Sequence, residues 1–177
     1  MEMNAWFDEN VAMTENHVGR QPMALTTEPA DVDSPEAGYA LQQYVAELER
    51  RFPSGFDTSR AAPPQPGAFT PPAGVFLLVR ADGQVRGCGA LRFEGTDVAE
   101  IRRMWIDSEV RGRGIGRSLL DSLESYARAR GCVRVVLDTA GELTEAKSLY
   151  VSAGYVEIPA YNDNAYAEHW FEKDLGR

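Results

Sequence analysis

Apolar residues recur at positions 37, 41, 44, 45, 48 and 52, the spacing of one helical face. Ser34, Pro35 and Glu36 precede them as an N-cap, a first helical residue and an acid favoured by the helix dipole. Pro53 lies where that helix must stop. A second helical pattern begins at Gly114, with apolar positions 115, 119, 120, 123, 126 and 127, and ends at Gly131. A third, shorter one spans residues 144–153 ahead of Gly154. The other apolar runs read as strands, over residues 24–28, 75–79, 84–93, 98–106, 133–137, 155–158 and 169–175. The turns Ala81-Asp82-Gly83 and Glu94-Gly95-Thr96-Asp97 join three of these as an antiparallel meander. Gly87 and Gly89 thin the middle strand where something approaches closely. Residues 98–137 then run strand, helix, strand, a βαβ unit that makes the sheet mixed. The predicted fold class is α+β, a mixed, mostly antiparallel sheet flanked by helices.

Nine of the ten prolines fall within the first 72 residues, which assigns the stretch from Ala61 to Pro72 to a loop. Residues 1–22 are polar and without a sustained period, and are expected to be a flexible tail ahead of a single domain over residues 23–177. Cys88 and Cys132 lie in apolar stretches and read as buried free thiols. With only two histidines and no Cys/His cluster, no metal site is expected. The net charge of −9 argues against a nucleic-acid surface. No apolar run approaches the roughly 18 residues of a membrane span, and acids at 2, 8, 9 and 15 break any secretory leader. A cytoplasmic location, without membrane or nucleic-acid partners, is the expectation; charge and composition leave monomer and homodimer equally open.

Against that acidic background Arg111, Arg113 and Arg117 form a positive island, interleaved with Gly112, Gly114 and Gly116 and followed directly by a helix. The first turn of a helix carries unpaired N–H groups and a partial positive charge, so an anion there is hydrogen-bonded and electrostatically favoured. Glycines let the backbone approach a phosphate, and the arginines add charge-assisted contacts. The loop suits a diphosphate. A dinucleotide fingerprint from Gly112 would need glycine where Arg117 stands, and a phosphate-binding lysine loop would need lysine at the same position.

The run Arg111-Gly112-Arg113-Gly114-Ile115-Gly116 resembles the R/Q-x-x-G-x-G/A signature of the GNAT superfamily of N-acetyltransferases. Glu100-Ile101 and Met104-Trp105-Ile106 before it, and Leu149-Tyr150 through Gly154-Tyr155 after it, extend the resemblance to roughly residues 75–175. Leu143 departs from it, since many relatives carry asparagine seven residues before the tyrosine. The resemblance implies acetyl-CoA as cofactor, held in a cleft between two splayed parallel strands. Backbone groups of Met104, Trp105 and Ile106 would bind the pantetheine arm and polarise the thioester carbonyl. Arg111, Gly112, Arg113, Gly114, Ile115, Gly116 and Arg117 would hold the pyrophosphate.

It also implies Tyr150 as the proton donor to the departing thiolate and Glu100, directly or through water, as the general base for the attacking amine. The alternative for Tyr150 is a core tyrosine, and for Glu100 a strand carboxylate paired with Arg102 or Arg103. Tyr161, Asn162 and the polar residues after them, with His169, are candidates for contact with the acceptor; an ordinary turn and a packing histidine are the plainer accounts. The acceptor is expected to be a primary amine on a small molecule or a protein. A non-catalytic acyl-CoA sensor of the same fold is the alternative function.

Overall fold

The computed structural model describes residues 23–60 and 67–176. The expected tail at 1–22 and the heart of the proline-rich loop, 61–66, lie outside them. Helix α1 (Pro35–Arg51) begins where the sequence places it: the Ser34 side chain accepts from the Ala37 N–H at 3.2 Å. Helix α2 (Ile115–Arg130) is closed by Gly131, and α3 spans Thr144–Ser152. Strands β1 (Leu25–Pro29), β2 (Gly74–Ala81), β3 (Gln84–Glu94) and β4 (Val98–Ile106) pair antiparallel in chain order. Strand β5 (Arg134–Thr139) then joins β4 in parallel. The last strand, β7 (His169–Asp174), lies between β5 and β6 (Val156–Ile158), antiparallel to both.

Alternation along β2 divides the interior in two. Val75, Leu77 and Val79 face the core built with Leu119, Leu120 and Leu123 of α2, and Phe76 and Leu78 face Ala37 and Ala40 of α1. The two helices therefore cover opposite faces of the sheet. What approaches at Gly89 is α2: a Cβ there would sit 3.0 Å from Leu123 Cδ1. Cys88 and Cys132 are buried and free, as expected. Burial pushes the Cys88 thiol up to about 12, with the nearby Arg103 charge opposing, and raises that of Cys132 as well.

Strand β4 is irregular at one point. Its register with β3 holds from Glu94↔Val98 to Ala90↔Arg102, then resumes shifted at Cys88↔Trp105. Arg103 and Met104 thus oppose the single Gly89, a β-bulge, and Arg103 takes a left-handed φ of 54°. The bulge reverses the facing of everything after it. Met104 joins Ile101 on the α2 side and Trp105 packs on the α1 side, opposite to what unbroken alternation would give.

Truncating Leu123 to alanine is expected to lower stability by about 2–5 kcal/mol in urea unfolding, because the leucine is fully buried between α2 and the sheet. Both thiols should be silent towards an aromatic disulfide reagent in the folded protein and react once it is unfolded.

Candidate active site

The parallel pairing of β4 with β5 stops at Ile101↔Leu137. Past that point the strands diverge, and a cleft of about 320 Å³ opens, lined by Arg102, Arg103 and Met104 on one side and Asp138 and Thr139 on the other. Tyr150 of α3 closes it, and Tyr44, Phe52, Phe56 and Tyr166 form an aromatic wall. Three of those rings pack together in tilted pairs, Phe52 with Tyr166 at 5.2 Å and Phe56 with Tyr166 at 4.8 Å between centroids.

A short 3₁₀ turn, Ser108–Val110, leads from β4 into the arginine-glycine loop. Gly112 and Gly114 have φ of 75° and 76°, left-handed values that a side chain would strain. Nothing lies within 4 Å of a Cβ built at either, so conformation and not crowding demands glycine. Gly114 caps α2 without any side-chain hydrogen bond, which leaves the first-turn N–H groups open to an anion. Ile115 itself points inward and is buried, so its part in the loop is played by backbone. Gly116 lets α3 come close, with Leu149 Cδ2 3.4 Å from a Cβ built there.

The three arginines differ. Arg111 Nε donates to the Ile106 carbonyl at 2.8 Å and its Nη2 pairs with Glu47 of α1 at 3.0 Å. Burial raises the Glu47 carboxyl, but hydrogen bonds from Arg50 and Arg111 outweigh it and hold it below the usual carboxylate value. Arg111 therefore ties the loop to the far helix. Arg117 pairs with Asp121 at 3.0 Å on its own helix, and Arg113 is exposed, with Met23 Sδ at 3.7 Å as its contact.

Tyr150 is buried, leans on Tyr155 and Phe171, and its hydroxyl contacts Met104 Sδ at 3.9 Å. Burial, with smaller contributions from Tyr44 and Asp138, raises its pKa, so it is protonated at neutral pH. Trp105 is packed into the α1-side core. Glu100 is also buried, on the face that carries a second cavity of about 810 Å³. Its Oε2 accepts from Arg92 at 2.8 Å, and its Oε1 from Arg102 at 3.2 Å and the Tyr161 hydroxyl at 3.0 Å. Tyr161 and Asn162 line that second cavity. His169 belongs to neither: Nδ1 meets Glu157 at 2.6 Å and Nε2 meets Lys147 at 3.2 Å.

Asp138 belongs to no motif in the sequence. It lies near the end of β5 in the diverging region and accepts from Asn162 Nδ2 and Asn164 Nδ2, both at 2.7 Å. An acid among the last residues of a β-branched strand is its one local signal; only the divergence of β4 reveals that it lines a cleft.

A profile described as the acetyltransferase (GNAT) family matches residues 41–155, most of the chain and all of this site's central elements. The chain belongs to the GNAT family. An N-acetyltransferase of Schizosaccharomyces pombe whose role is uncharacterized is 33% identical over 140 residues, 77% of this chain and 83% of the relative. An IAA acetyltransferase of Azospirillum brasilense is 35% identical over 83 residues, 46% of this chain, and the match spans only about half (54%) of that relative's length. The crystal structure of a GNAT acetyltransferase from Elizabethkingia anophelis with acetyl-CoA bound has the same fold, with a TM-score of 0.61 at 17% identity over 85% of this chain and 98% of the other.

Acetyl-CoA is the cosubstrate of GNAT proteins, and this chain's residues fit it. The uncapped start of α2 and the open, left-handed Gly112 and Gly114 suit a pyrophosphate, and the edge of β4 beyond Ile101 suits an extended pantetheine arm. Among the described residues no group of acids, histidines and cysteines could hold a metal ion, and no helix is long and apolar enough to cross a membrane.

Gly114→Glu should abolish the stabilisation by acetyl-CoA. At about 100 times the dissociation constant the wild type should gain roughly 2.7 kcal/mol, a rise of several degrees in melting midpoint. The variant should show none, whereas ATP and NAD should leave both proteins unmoved.

Proposed function

We propose that this chain transfers the acetyl group of acetyl-CoA to a primary amine by direct attack in a ternary complex. The observation that carries this reading is that one cleft at the β4 bulge is lined by Arg103 and Met104 of β4, by Tyr150 and by Asp138, and that β4 runs on through a short turn to the glycine loop. Bound acetyl-CoA supplies a thioester carbonyl at that place. The N-terminus of α2, with Arg113 and Arg117 above it, holds the pyrophosphate, while Arg111 holds the loop itself in position. Backbone N–H groups of Met104–Ile106 orient the pantetheine arm and polarise the carbonyl. Tyr150, kept protonated by its burial, donates to the sulfur as negative charge develops there.

A protonated amine must lose a proton before it attacks. Glu100 is one acceptor for that proton, directly or through water. Its two oxygens, however, already receive three hydrogen bonds, two of them from guanidinium groups. Asp138 receives only two from neutral amides and lines the same cleft as Tyr150. That contrast favours Asp138 as the base, with Glu100 holding Arg102 and Tyr161 in place.

The test is release of free coenzyme A thiol from acetyl-CoA when amines are supplied. Tyr150→Phe should lower kcat about a hundred-fold or more with little change in KM for acetyl-CoA, the scale of a lost general acid. Asp138→Asn should reduce kcat/KM for the amine more than Glu100→Gln does; the reverse order would return the base to Glu100. Thiol release by no amine, with acetyl-CoA still binding, would make the chain an acyl-CoA sensor instead of an enzyme.

A further inference from the structure

Among the described residues Arg103 is a cation with no anion beside it. Its guanidinium lies over the Phe69 ring, 5.0 Å from the centroid, and among the described residues no carboxylate pairs with it. The nearest buried acid on its strand, Glu100, is already shared by Arg92 and Arg102. Arg103 is half-buried, and it sits on a bulge in a left-handed conformation that side chains rarely adopt. The bulge aims it at the junction of the two cavities, since it lines both. Water is a poor substitute for a counterion at such a place, because partial burial strips the charge of solvation.

The same cleft holds the opposite charge. Asp138 accepts from two side-chain amides, and the nearest cation acting on it, Arg102, is hydrogen-bonded to Glu100 instead. An anion held by amides and a cation with no acid beside it among the described residues thus line one small cleft, with Tyr44, Phe52, Phe56 and Tyr166 on its apolar wall. A ligand that satisfies all three is dipolar at one end and apolar at the other.

We propose that the amine acceptor is a free α-amino acid with an apolar or aromatic side chain, its carboxylate paired with Arg103, its amine facing Asp138 and its side chain against the aromatic wall. This rests on the transferase reading above and specifies its substrate class. Arg103 is then the residue that selects the acceptor, through a charge-assisted contact with a carboxylate. A peptide lysine or a polyamine carries no carboxylate beside the reacting nitrogen and would leave Arg103 unsatisfied. The cleft volume of about 320 Å³ also suits a small molecule better than a protein segment.

Three acceptors with one side chain test it: phenylalanine, phenylalaninamide and phenethylamine, compared by kcat/KM in the thiol-release assay. The wild type should prefer phenylalanine by about ten-fold or more over both others, the scale of one charge-assisted hydrogen bond. Arg103→Gln should collapse that ratio toward one, and Arg103→Lys should keep part of it. If Arg103→Gln does not fold, the wild-type ratio decides alone. A melting midpoint raised by acetyl-CoA together with equal use of the three amines, preference for phenethylamine, or acetylation of none of them overturns the carboxylate assignment and leaves acetyl-CoA binding intact. Absence of both the acetyl-CoA shift and thiol release with any amine takes down the transferase reading and this one with it.

Discussion

Beyond Ile101, β4 has a sheet partner on one side only, and the site exists because of that loss. A paired β4 would bury its backbone N–H groups in a ladder and fill the gap between β4 and β5 with side chains. Unpaired, the strand presents an edge inside the protein, where hydrogen-bonding groups are costly to leave unmade. The protein meets part of that cost itself, through the Arg111 guanidinium on the Ile106 carbonyl. An extended ligand lying along the same edge would meet the remainder. The bulge at Arg103 and Met104 adds a second consequence. It turns Met104 towards Tyr150 and leaves Arg103 at the meeting point of two cavities, so one extra residue sets both the surroundings of the Tyr150 hydroxyl and the charge where the cavities meet.

The electrostatics depend on how the arginines are engaged. Arg92 and Arg102 neutralise the buried Glu100, and Arg111 is held by Glu47, so these charges are spent on the protein's own architecture. On the other face Glu124 is buried between Lys173 and Arg128, another acid matched by cations. Arg103 stands apart from this matching. In a chain with net charge −9 a half-buried arginine with no carboxylate beside it among the described residues is informative, since carboxylates are plentiful.

Much of the architecture was legible in the order of residues. Ser34-Pro35 and Pro53 bracket α1, Gly114 and Gly131 bracket α2, and the strands were displaced from their expected bounds by only a residue or two at most ends. These elements have local causes: caps, turn chemistry and the alternation or helical repeat of apolar side chains. The arginine-glycine loop was legible for the same reason, because the helix N-terminus and the glycines before it are contiguous in the chain.

The features written locally are therefore those whose physical cause lies within a few neighbouring residues: the helices, the meander, the buried thiols and the Arg-Gly loop. Roles that depend on distant partners emerged only on folding. The sequence left Glu100 between a base and a strand carboxylate paired with Arg102 or Arg103; the fold pairs it with Arg102 and adds Arg92 and Tyr161, the last sixty-one residues away. His169 looked near the acceptor and proved held by Glu157 and Lys147, whereas Asp138 looked like the end of a strand and proved to line the cleft. The placing of β7 between β5 and β6, the Arg103 bulge and the divergence of β4 from β5 come from how whole elements stack and pair, and no local pattern encodes that sum.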